Sequence, residues 1–285
     1  MTKYGVHSML WTEFFGEKDL NILKKVKSLG FDFIDIAIPD PDTFPSKLIK
    51  EKAKEIGIEL VTSCDLSAET NIINPDSHIR KKGVEILKKF IDVNINLDCK
   101  ILGGATYAAW GYITGKPRTN DEWNWGVECL REAALYAKDK SDLIIAVEPM
   151  NRFETFFLNI AEDAVKFCKD IGTGNIKILL DTFHMVREEK SFKKAIEACS
   201  KEFLGYFHIS ENDRGIPGTG LIPWEEFFKT IKKIEFDGPL IIESFDPNFE
   251  KFNSLCAIWR KHAESGEEFA IKSLESLKAI EKKIQ

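Results

Sequence analysis

Four apolar runs in the second half of the chain each end in a residue with an acidic or imidazole side chain. The intervals between these four residues are 33, 27 and 35 residues, and a strand with its crossover helix takes ~30 residues or more. We therefore expect them at equivalent places, at the carboxyl ends of four successive parallel strands. The four, each with the run that it ends, are Glu148 (143–147), Asp181 (176–180), His208 (204–207) and Glu243 (240–242).

Strand-like and helix-like segments alternate eight times along the 285 residues. A closed barrel of eight such units typically takes ~250 residues, and no strand is followed by the G-x-G-x-x-G fingerprint of a dinucleotide fold. The predicted fold class is therefore α/β, a (β/α)₈ TIM barrel that forms a single domain over residues 1–285. Besides the four runs, the predicted strands are 4–10, 33–37, 59–63 and 100–103. The predicted helices are one with Leu20, Leu23 and Val26 on one face, one from about Asp76, and those at 46–56, 120–137, 161–171, 192–199, 224–234 and 267–283.

Charge and composition argue against several classes of partner. The net charge of −6 is modest and the lysines are spread along helices, so we expect neither a nucleic-acid surface nor a membrane surface. No apolar run approaches the ~18 residues of a membrane span. The chain begins directly in a strand pattern, without the pattern of a signal peptide, and its six cysteines show no C-x-x-C pairing. We expect reduced thiols and a cytoplasmic location.

The four strand-end residues would converge on one face of a closed barrel, which is where catalytic residues gather. Three carboxylates and one imidazole brought together would repel strongly without a cation. Their oxygen and nitrogen atoms suit a divalent metal ion of the Mn, Co, Mg or Zn kind. The sequence thus predicts one metal ion held by Glu148, Asp181, His208 and Glu243, although each carboxylate taken alone could equally cap a helix or form a surface ion pair.

Two further polar residues follow predicted ligands in the same loops. Glu154 comes six residues after Glu148 and is predicted to bind a substrate hydroxyl, the alternative being a solvated loop carboxylate. His184 comes three residues after Asp181. It is predicted to bind a substrate oxygen or to orient the ligands, the alternative being a purely structural histidine.

The loop after the seventh strand contains Arg214 and then three glycines within residues 215–220. Arg214 is predicted to bind a pair of substrate oxygens, the alternative being an ion pair with Asp213 or Glu211. The glycines are a weak indication of a phosphate site, because barrels often hold phosphate near the loops after strands seven and eight.

Other residues are expected around the site. Cys64, at a strand end, is the one cysteine predicted to line it. Aromatic side chains at strand ends suit the apolar faces of a sugar. The long stretch 246–265 is predicted to cover the site or to contact a neighbouring subunit. The strand-end aromatic residues are Trp11, Phe14, Phe15, Trp110 and Phe245.

Four segments resemble the D-tagatose 3-epimerase (D-psicose or allulose 3-epimerase) family, which belongs to the xylose-isomerase-like barrels. The resemblance extends from about residue 5 to residue 260, and its most specific pieces are N-R-F-E and D-T-F-H-M. The four segments are 147–154, 180–185, 207–211 and 242–245.

The resemblance implies one Mn²⁺ or Co²⁺ ion on the four ligands named above. It also implies that Glu148 and Glu243 handle the C3 proton of a sugar from opposite faces, and that the protein is a homodimer or homotetramer. Substrate contacts are implied for Glu154, His184, Arg214, Trp110 and Phe245.

The sequence departs from the family in three places. Ser244 stands where the family usually has proline, and Leu221 stands where it usually has arginine. His7 matches the position of a first-strand tyrosine or phenylalanine that contacts the substrate. These changes leave the metal ligands intact, so they bear on which sugar is bound, and His7 is expected to contact it.

The predicted function is reversible epimerisation of a free ketose at C3, through a cis-enediolate, with Glu148 and Glu243 as the acid–base pair. The same groups could instead perform aldose–ketose isomerisation or dehydration of a keto-inositol. A sugar sensor without catalytic activity is the alternative from another class. A DNA-repair phosphodiesterase is disfavoured, because a three-zinc cluster would want many more than the five histidines of this chain.

Overall fold

The computed structural model describes residues 2–249 and 256–284. Eight parallel strands pair in chain order, and β8 closes the ring by pairing with β1, so the predicted (β/α)₈ fold is confirmed. Helices surround the strands in a single TIM barrel domain. The strands are β1 (Tyr4–His7), β2 (Phe33–Ala37), β3 (Glu59–Ser63), β4 (Ile101–Gly103), β5 (Ile144–Val147), β6 (Ile176–Asp181), β7 (Leu204–Ile209) and β8 (Leu240–Ile242).

The helices begin and end at residues that suit helix termini. Thr119 accepts the backbone N–H of Glu122, whose carboxylate accepts the N–H of Thr119 in return, and Gly57 adopts the left-handed conformation that ends a helix. Within the described residues the α-helices are α1 (Leu20–Ser28), α2 (Ser46–Ile56), α3 (Ser77–Leu97), α4 (Asn120–Lys140), α5 (Ala161–Ile171), α6 (Thr182–Glu188), α7 (Phe192–Phe203), α8 (Trp224–Lys233) and α9 (Gly266–Lys282).

Two local features differ from the sequence-based prediction. Strand β1 ends at His7, and the next three residues, predicted to continue it, form a 3₁₀ turn that the His7 side chain caps. Helix α6 was not predicted. It begins directly after β6 because Asp181 accepts the backbone N–H of Phe183 and so caps the new helix.

The inside of the barrel has an apolar floor and a polar layer above it. Successive side chains of a strand alternate between its two faces, so a residue two places beyond a floor residue also points inward. The floor consists of Phe33, Val61, Ala146, Leu179, Tyr206 and Ile241. Two places further along the same strands stand Asp35, Ser63, Glu148, Asp181, His208 and Glu243.

The main hydrophobic core lies between the barrel and the helices, where the outward residues of the strands pack against the apolar helix faces. The two layers together fix the strand ends that carry the polar side chains. None of the helices in the described part of the chain combines the length and the apolar character that a membrane crossing requires.

Candidate active site

The four predicted ligands lie together at the carboxyl end of the barrel. One ligand atom from each of Glu148, Asp181, His208 and Glu243 lies within 4.8 Å of those of the other three. All four side chains are buried, with at most 7% of any residue exposed. Because their strands β5 to β8 are consecutive in the ring, the four residues form an arc with the two glutamates at its ends.

The orientation of His208 fits a metal ligand. Its Nε2 lies 3.0 Å from Oδ2 of Asp35, a contact that places the ring proton on this nitrogen. Its Nδ1 is buried and makes no hydrogen bond to any described residue, although Glu243 Oε2 lies at 3.2 Å and Glu148 Oε1 at 3.8 Å. A nitrogen lone pair facing two carboxylates is stable when a cation lies between them, so the donor set suits a divalent metal ion.

Arg214 reaches into the same cluster. Its Nη1 donates to Asp181 Oδ2 at 2.5 Å and to Glu243 Oε2 at 2.6 Å. Its guanidinium group also lies over the ring of Phe183, 4.1 Å from the centroid. Arg214 therefore forms its ion pairs with Asp181 and Glu243, and not with Asp213 or Glu211 as the alternative prediction had it.

The backbone at Arg214 is unusual because φ is +64°, in the left-handed region that non-glycine residues rarely adopt. Two contacts hold this turn: the N–H of Arg214 donates to Glu211 O at 3.0 Å, and Ser244 Oγ donates to Arg214 O at 2.8 Å. The turn directs the guanidinium group inward.

The electrostatics of the cluster show how strongly its charges interact. Burial raises the pKa of Asp181 to about 6, against the charges of Arg214 and His184, which act to lower it. Burial also acts to raise the pKa of Glu243, but Arg214 and His208 hold it well below its usual range. The pKa of His208 is raised despite its burial, because Glu243 and Asp35 favour the charged ring. The cluster therefore attracts positive charge.

Glu154 lines the cavity next to the cluster, in a fixed orientation. Its Oε1 accepts a hydrogen bond from Asn151 Nδ2 at 2.7 Å, and its Oε2 accepts one from Trp110 Nε1 at 2.9 Å. Trp110, an aromatic residue expected near a sugar, also lines the cavity. Glu154 is thus a held carboxylate rather than a freely solvated one.

His184 lies beside two of the ligands. Its Nδ1 accepts the backbone N–H of Asn151 at 3.2 Å, so its other nitrogen carries the proton. That nitrogen, Nε2, lies 3.6 Å from Glu148 Oε1 and 3.7 Å from Asp181 Oδ2. His184 also lines the cavity, so it is placed for either of the predicted roles, substrate contact or orientation of the ligands.

His7 and Phe245 close another side of the cavity. The His7 ring stands edge-on to the ring of His208, with centroids 5.9 Å apart, and tilts against Phe245 at 6.5 Å. Both rings are almost fully buried.

Cys64 was predicted to line the site, and its contact with a substrate stays a prediction. Cys64 is buried in the main hydrophobic core and does not line the cavity, which instead includes its neighbours Ser63 and Asp65. The reason is strand alternation: the residues on either side of Cys64 share the inward face with Val61 of the floor. Asp65, like Asp35, is a cavity or cluster residue that sequence reasoning missed, and counting in twos from the floor would have found both.

The glycine-containing loop after β7 is organised by Glu211, which is fully buried. Its Oε1 accepts the N–H of Gly218 and the indole N–H of Trp224, each at 2.6 Å, and its Oε2 accepts the N–H of Ile222 at 3.2 Å. A Cβ at Gly220 would lie 2.6 Å from the same carboxylate, so the loop needs glycine there. These N–H groups already bind a carboxylate, which argues against the predicted phosphate cradle.

The stretch predicted to cover the site lies partly outside the described residues, at 250–255. Of its described part, Cys256 lines the cavity, and Ile258 packs with Met9 and Phe245. Its contact with a neighbouring subunit stays a prediction.

The fold and this cluster together define a TIM barrel protein with a buried carboxylate–histidine centre of the kind that binds a divalent metal ion. The chain belongs to the xylose isomerase-like TIM barrel family, whose model matches residues 23–280. The family assignment made from the sequence is therefore confirmed.

Individual relatives share most of the chain. It is 32% identical to the D-psicose 3-epimerase of Agrobacterium fabrum, over 90% of each protein, and 33% identical to the L-ribulose 3-epimerase of a Methylomonas species, over 97% of this chain and 96% of that one. These relatives confirm the predicted enzyme class, an isomerase of carbohydrates.

Solved structures agree. A structure of L-ribulose 3-epimerase covers 100% of this chain and 96% of its own, with a TM-score of 0.94 and 29% identity. A D-allulose 3-epimerase from a Methylomonas species, in complex with D-allulose, covers 98% and 96%, with a TM-score of 0.91 and 31% identity.

Proposed function

We propose that this protein is a divalent-metal-dependent ketose 3-epimerase. The observation that carries the proposal is the placement of Glu148 and Glu243 at the two ends of one arc of strand ends, with Asp181 and His208 between them. The names of the relatives, which are epimerases of D-psicose, L-ribulose and other ketoses, support the same reaction.

Inverting a carbon requires that a proton leave from one face and return to the other. We assign these two steps to the carboxylates of Glu148 and Glu243, each acting as base in one direction and as acid in the other, through a cis-enediolate of the sugar. A bound divalent ion would supply a Lewis acid for the charge that develops on the sugar oxygens. Burial of both carboxylates limits the contact of bulk water with the reacting carbon.

The substrate contacts follow from the cavity lining. Glu154, held by two donors, accepts a hydroxyl hydrogen bond, and the Nε2–H of His184 faces the same space. Arg214 binds a substrate oxygen when it moves from the carboxylates that it now contacts. Trp110 and Phe245 pack against the apolar faces of the sugar.

The substrate we propose is a free ketose. Several carboxylates line the cavity, and among its described lining residues Arg214 is the one lysine or arginine. That charge balance disfavours a phosphorylated sugar, as does the occupation of the loop N–H groups by Glu211. The relatives make D-psicose and L-ribulose the first sugars to test.

The finer assignments complete the proposal. The metal ion is Mn²⁺ or Co²⁺, since carboxylate oxygens and a single imidazole suit both. The enzyme forms a homodimer or homotetramer in the cytoplasm.

The test is a screen of the metal-reconstituted protein on free ketoses, phosphorylated ketoses and inososes, with products identified by NMR. We expect a C3 epimer from a free ketose, and we expect Glu148→Gln and Glu243→Gln each to lower kcat by orders of magnitude. Glu225→Gln, an exposed carboxamide substitution on α8, is the matched control and should keep native kcat. An aldose product would indicate isomerisation, a dehydrated inosose would indicate a lyase, and sugar binding without turnover would indicate a sensor; each would overturn the proposal.

A further inference from the structure

A line of hydrogen bonds connects His208 through Asp35 and Ser63 to His7, and both Ser63 and His7 also line the cavity. His208 Nε2 contacts Asp35 Oδ2 at 3.0 Å, Ser63 Oγ donates to Asp35 Oδ1 at 3.1 Å, and His7 Nε2 lies 3.2 Å from Ser63 Oγ. The four residues come from β7, β2, β3 and β1, at the inward positions directly above the apolar floor. Three of the four are at most 2% exposed and Ser63 is 9% exposed.

The direction of every hydrogen bond in this line is fixed from one end. The backbone N–H of Met9 donates to His7 Nδ1 at 3.2 Å, so that nitrogen is an acceptor and His7 Nε2 carries the proton. His7 therefore donates to Ser63 Oγ, and the Ser63 hydroxyl hydrogen is left for Asp35.

At the other end, Asp35 can only accept. One of its oxygens is taken by Ser63, and the other accepts the N–H of His208 Nε2. With the Nε2 proton held by Asp35, the other ring nitrogen of His208, Nδ1, is the one that faces the cluster and would bind a metal ion, and it makes no hydrogen bond to any described residue.

We propose that His7, Ser63 and Asp35 form a positioning chain that fixes the tautomer and orientation of His208, so that Nδ1 is the ligating atom and binds the metal ion tightly. The proposal rests on the metal-binding part of the proposed function. Asp35 is the main element because its negative charge makes the imidazole a stronger ligand, and such partners typically contribute 10–100-fold in metal affinity. Ser63 and His7 act through Asp35, by holding its carboxylate in the position from which it accepts the N–H of His208.

In this proposal, His7 has a second role besides the sugar contact expected from its position: it helps to orient His208. A phenylalanine there would fill the space between Phe245 and His208 but could not donate to Ser63. His7 thus lines the cavity and also acts on the metal ligand His208, through Ser63 and Asp35.

The test measures metal affinity without any sugar. Metal-free protein is titrated with Mn²⁺ by isothermal calorimetry for the native chain, Asp35→Asn, Ser63→Ala and His7→Phe. We expect the dissociation constant to rise by about 10–100-fold for Asp35→Asn, and by smaller factors for the other two. Thr62→Val is the matched control. Thr62 lies next to Ser63 on β3, is also buried, and donates to Asn94 on the other face of the strand, so loss of its hydroxyl should leave the affinity native.

A second readout separates positioning from a general loosening of the fold. The Co²⁺-loaded Asp35→Asn protein should show a shifted ligand-field absorption band at saturating cobalt, because the ligating nitrogen has become less basic. Native affinity and a native band in Asp35→Asn, or an equal loss in Thr62→Val, would overturn the proposal. If Asp35→Asn does not fold, native affinity in both Ser63→Ala and His7→Phe would overturn it. Failure of the proposed function would instead appear as native metal binding without ketose turnover.

Discussion

Trp110 donates its indole N–H to Oε2 of Glu154 at 2.9 Å, and so ties the loop after β4 to the loop after β5. The backbone supports the same junction, because Gly111 N donates to Glu154 O at 2.9 Å. Asn151 completes the arrangement by donating to the other carboxylate oxygen. A carboxylate held at both oxygens loses little conformational entropy when a sugar hydroxyl binds to it.

Trp110→Phe removes this N–H and keeps an aromatic ring in the cavity. We expect KM for the ketose to rise about five-fold, which corresponds to ~1 kcal/mol for one hydrogen bond, with kcat nearly unchanged. Steady-state kinetics measure both constants. Trp123→Phe removes a similar indole–carboxylate bond, to Asp170 on the helical exterior, and should leave KM native. Equal KM values for native protein and Trp110→Phe would contradict the assigned role of Glu154.

The hydroxyl of Ser244 donates a hydrogen bond to the buried carbonyl of Arg214. Ser244→Ala leaves that buried carbonyl unpaired and frees a turn with positive φ, so we expect a loss of about 1–2 kcal/mol in the free energy of unfolding, together with a higher KM. Urea denaturation and kinetics measure the two effects. Ser28→Ala is the control, because it removes an exposed hydroxyl-to-carbonyl bond, to Lys25. If Ser244→Ala were no less stable than Ser28→Ala, Ser244 would not support the turn.

Glu211 accepts three N–H groups inside the loop after β7. In Glu211→Gln an amide NH₂ must face one of these donors, so we expect the free energy of unfolding to fall by about 2–3 kcal/mol. Denaturant titration checks this value. Glu225→Gln on the surface should change stability by less than about 0.5 kcal/mol. Similar stability of the two variants would show that the loop does not depend on the buried carboxylate.

Metal removal should destabilise the fold, because the buried carboxylates of the cluster then lose their cation. A ligand present at 100 times its dissociation constant adds ~2.7 kcal/mol, so chelation should lower Tm by about 5–10 °C, and added Mn²⁺ should restore it. Differential scanning calorimetry measures the change. In His208→Asn the difference between chelated and Mn²⁺-containing samples should shrink strongly. If the Tm of the native protein changed neither with chelator nor with added Mn²⁺, the folded protein would not bind the ion.

Much of the fold could be predicted because its signals are local. Apolar runs of strand length and helical stripes recur at regular intervals, and polar residues that end such runs lie at one end of a parallel barrel. That reasoning brought Glu148, Asp181, His208 and Glu243 together from the spacing alone, and the structure places them within reach of one another.

What the sequence could not show is the phase of single strands and the partners of long side chains. Strand β3 is apolar enough on both faces that Cys64 and Asp65 are equally plausible inward residues until the floor residue Val61 fixes the alternation. Helix α6 was missed although a helix cap was one of the roles considered for Asp181, because the helix predicted after this strand begins only at residue 192. Asp35 was missed because its partner, His208, is 173 residues away in the sequence.

Hydrogen exchange at one carbon tests the account most directly. The metal-loaded protein is incubated with D-psicose in D₂O, and the recovered sugars are examined by NMR. We predict deuterium at C3 of both epimers, none at C1, and no formation of the epimer with Glu148→Gln or Glu243→Gln. Deuterium at C1, or an epimer formed with its C3 hydrogen fully retained, would contradict proton transfer by the two glutamates.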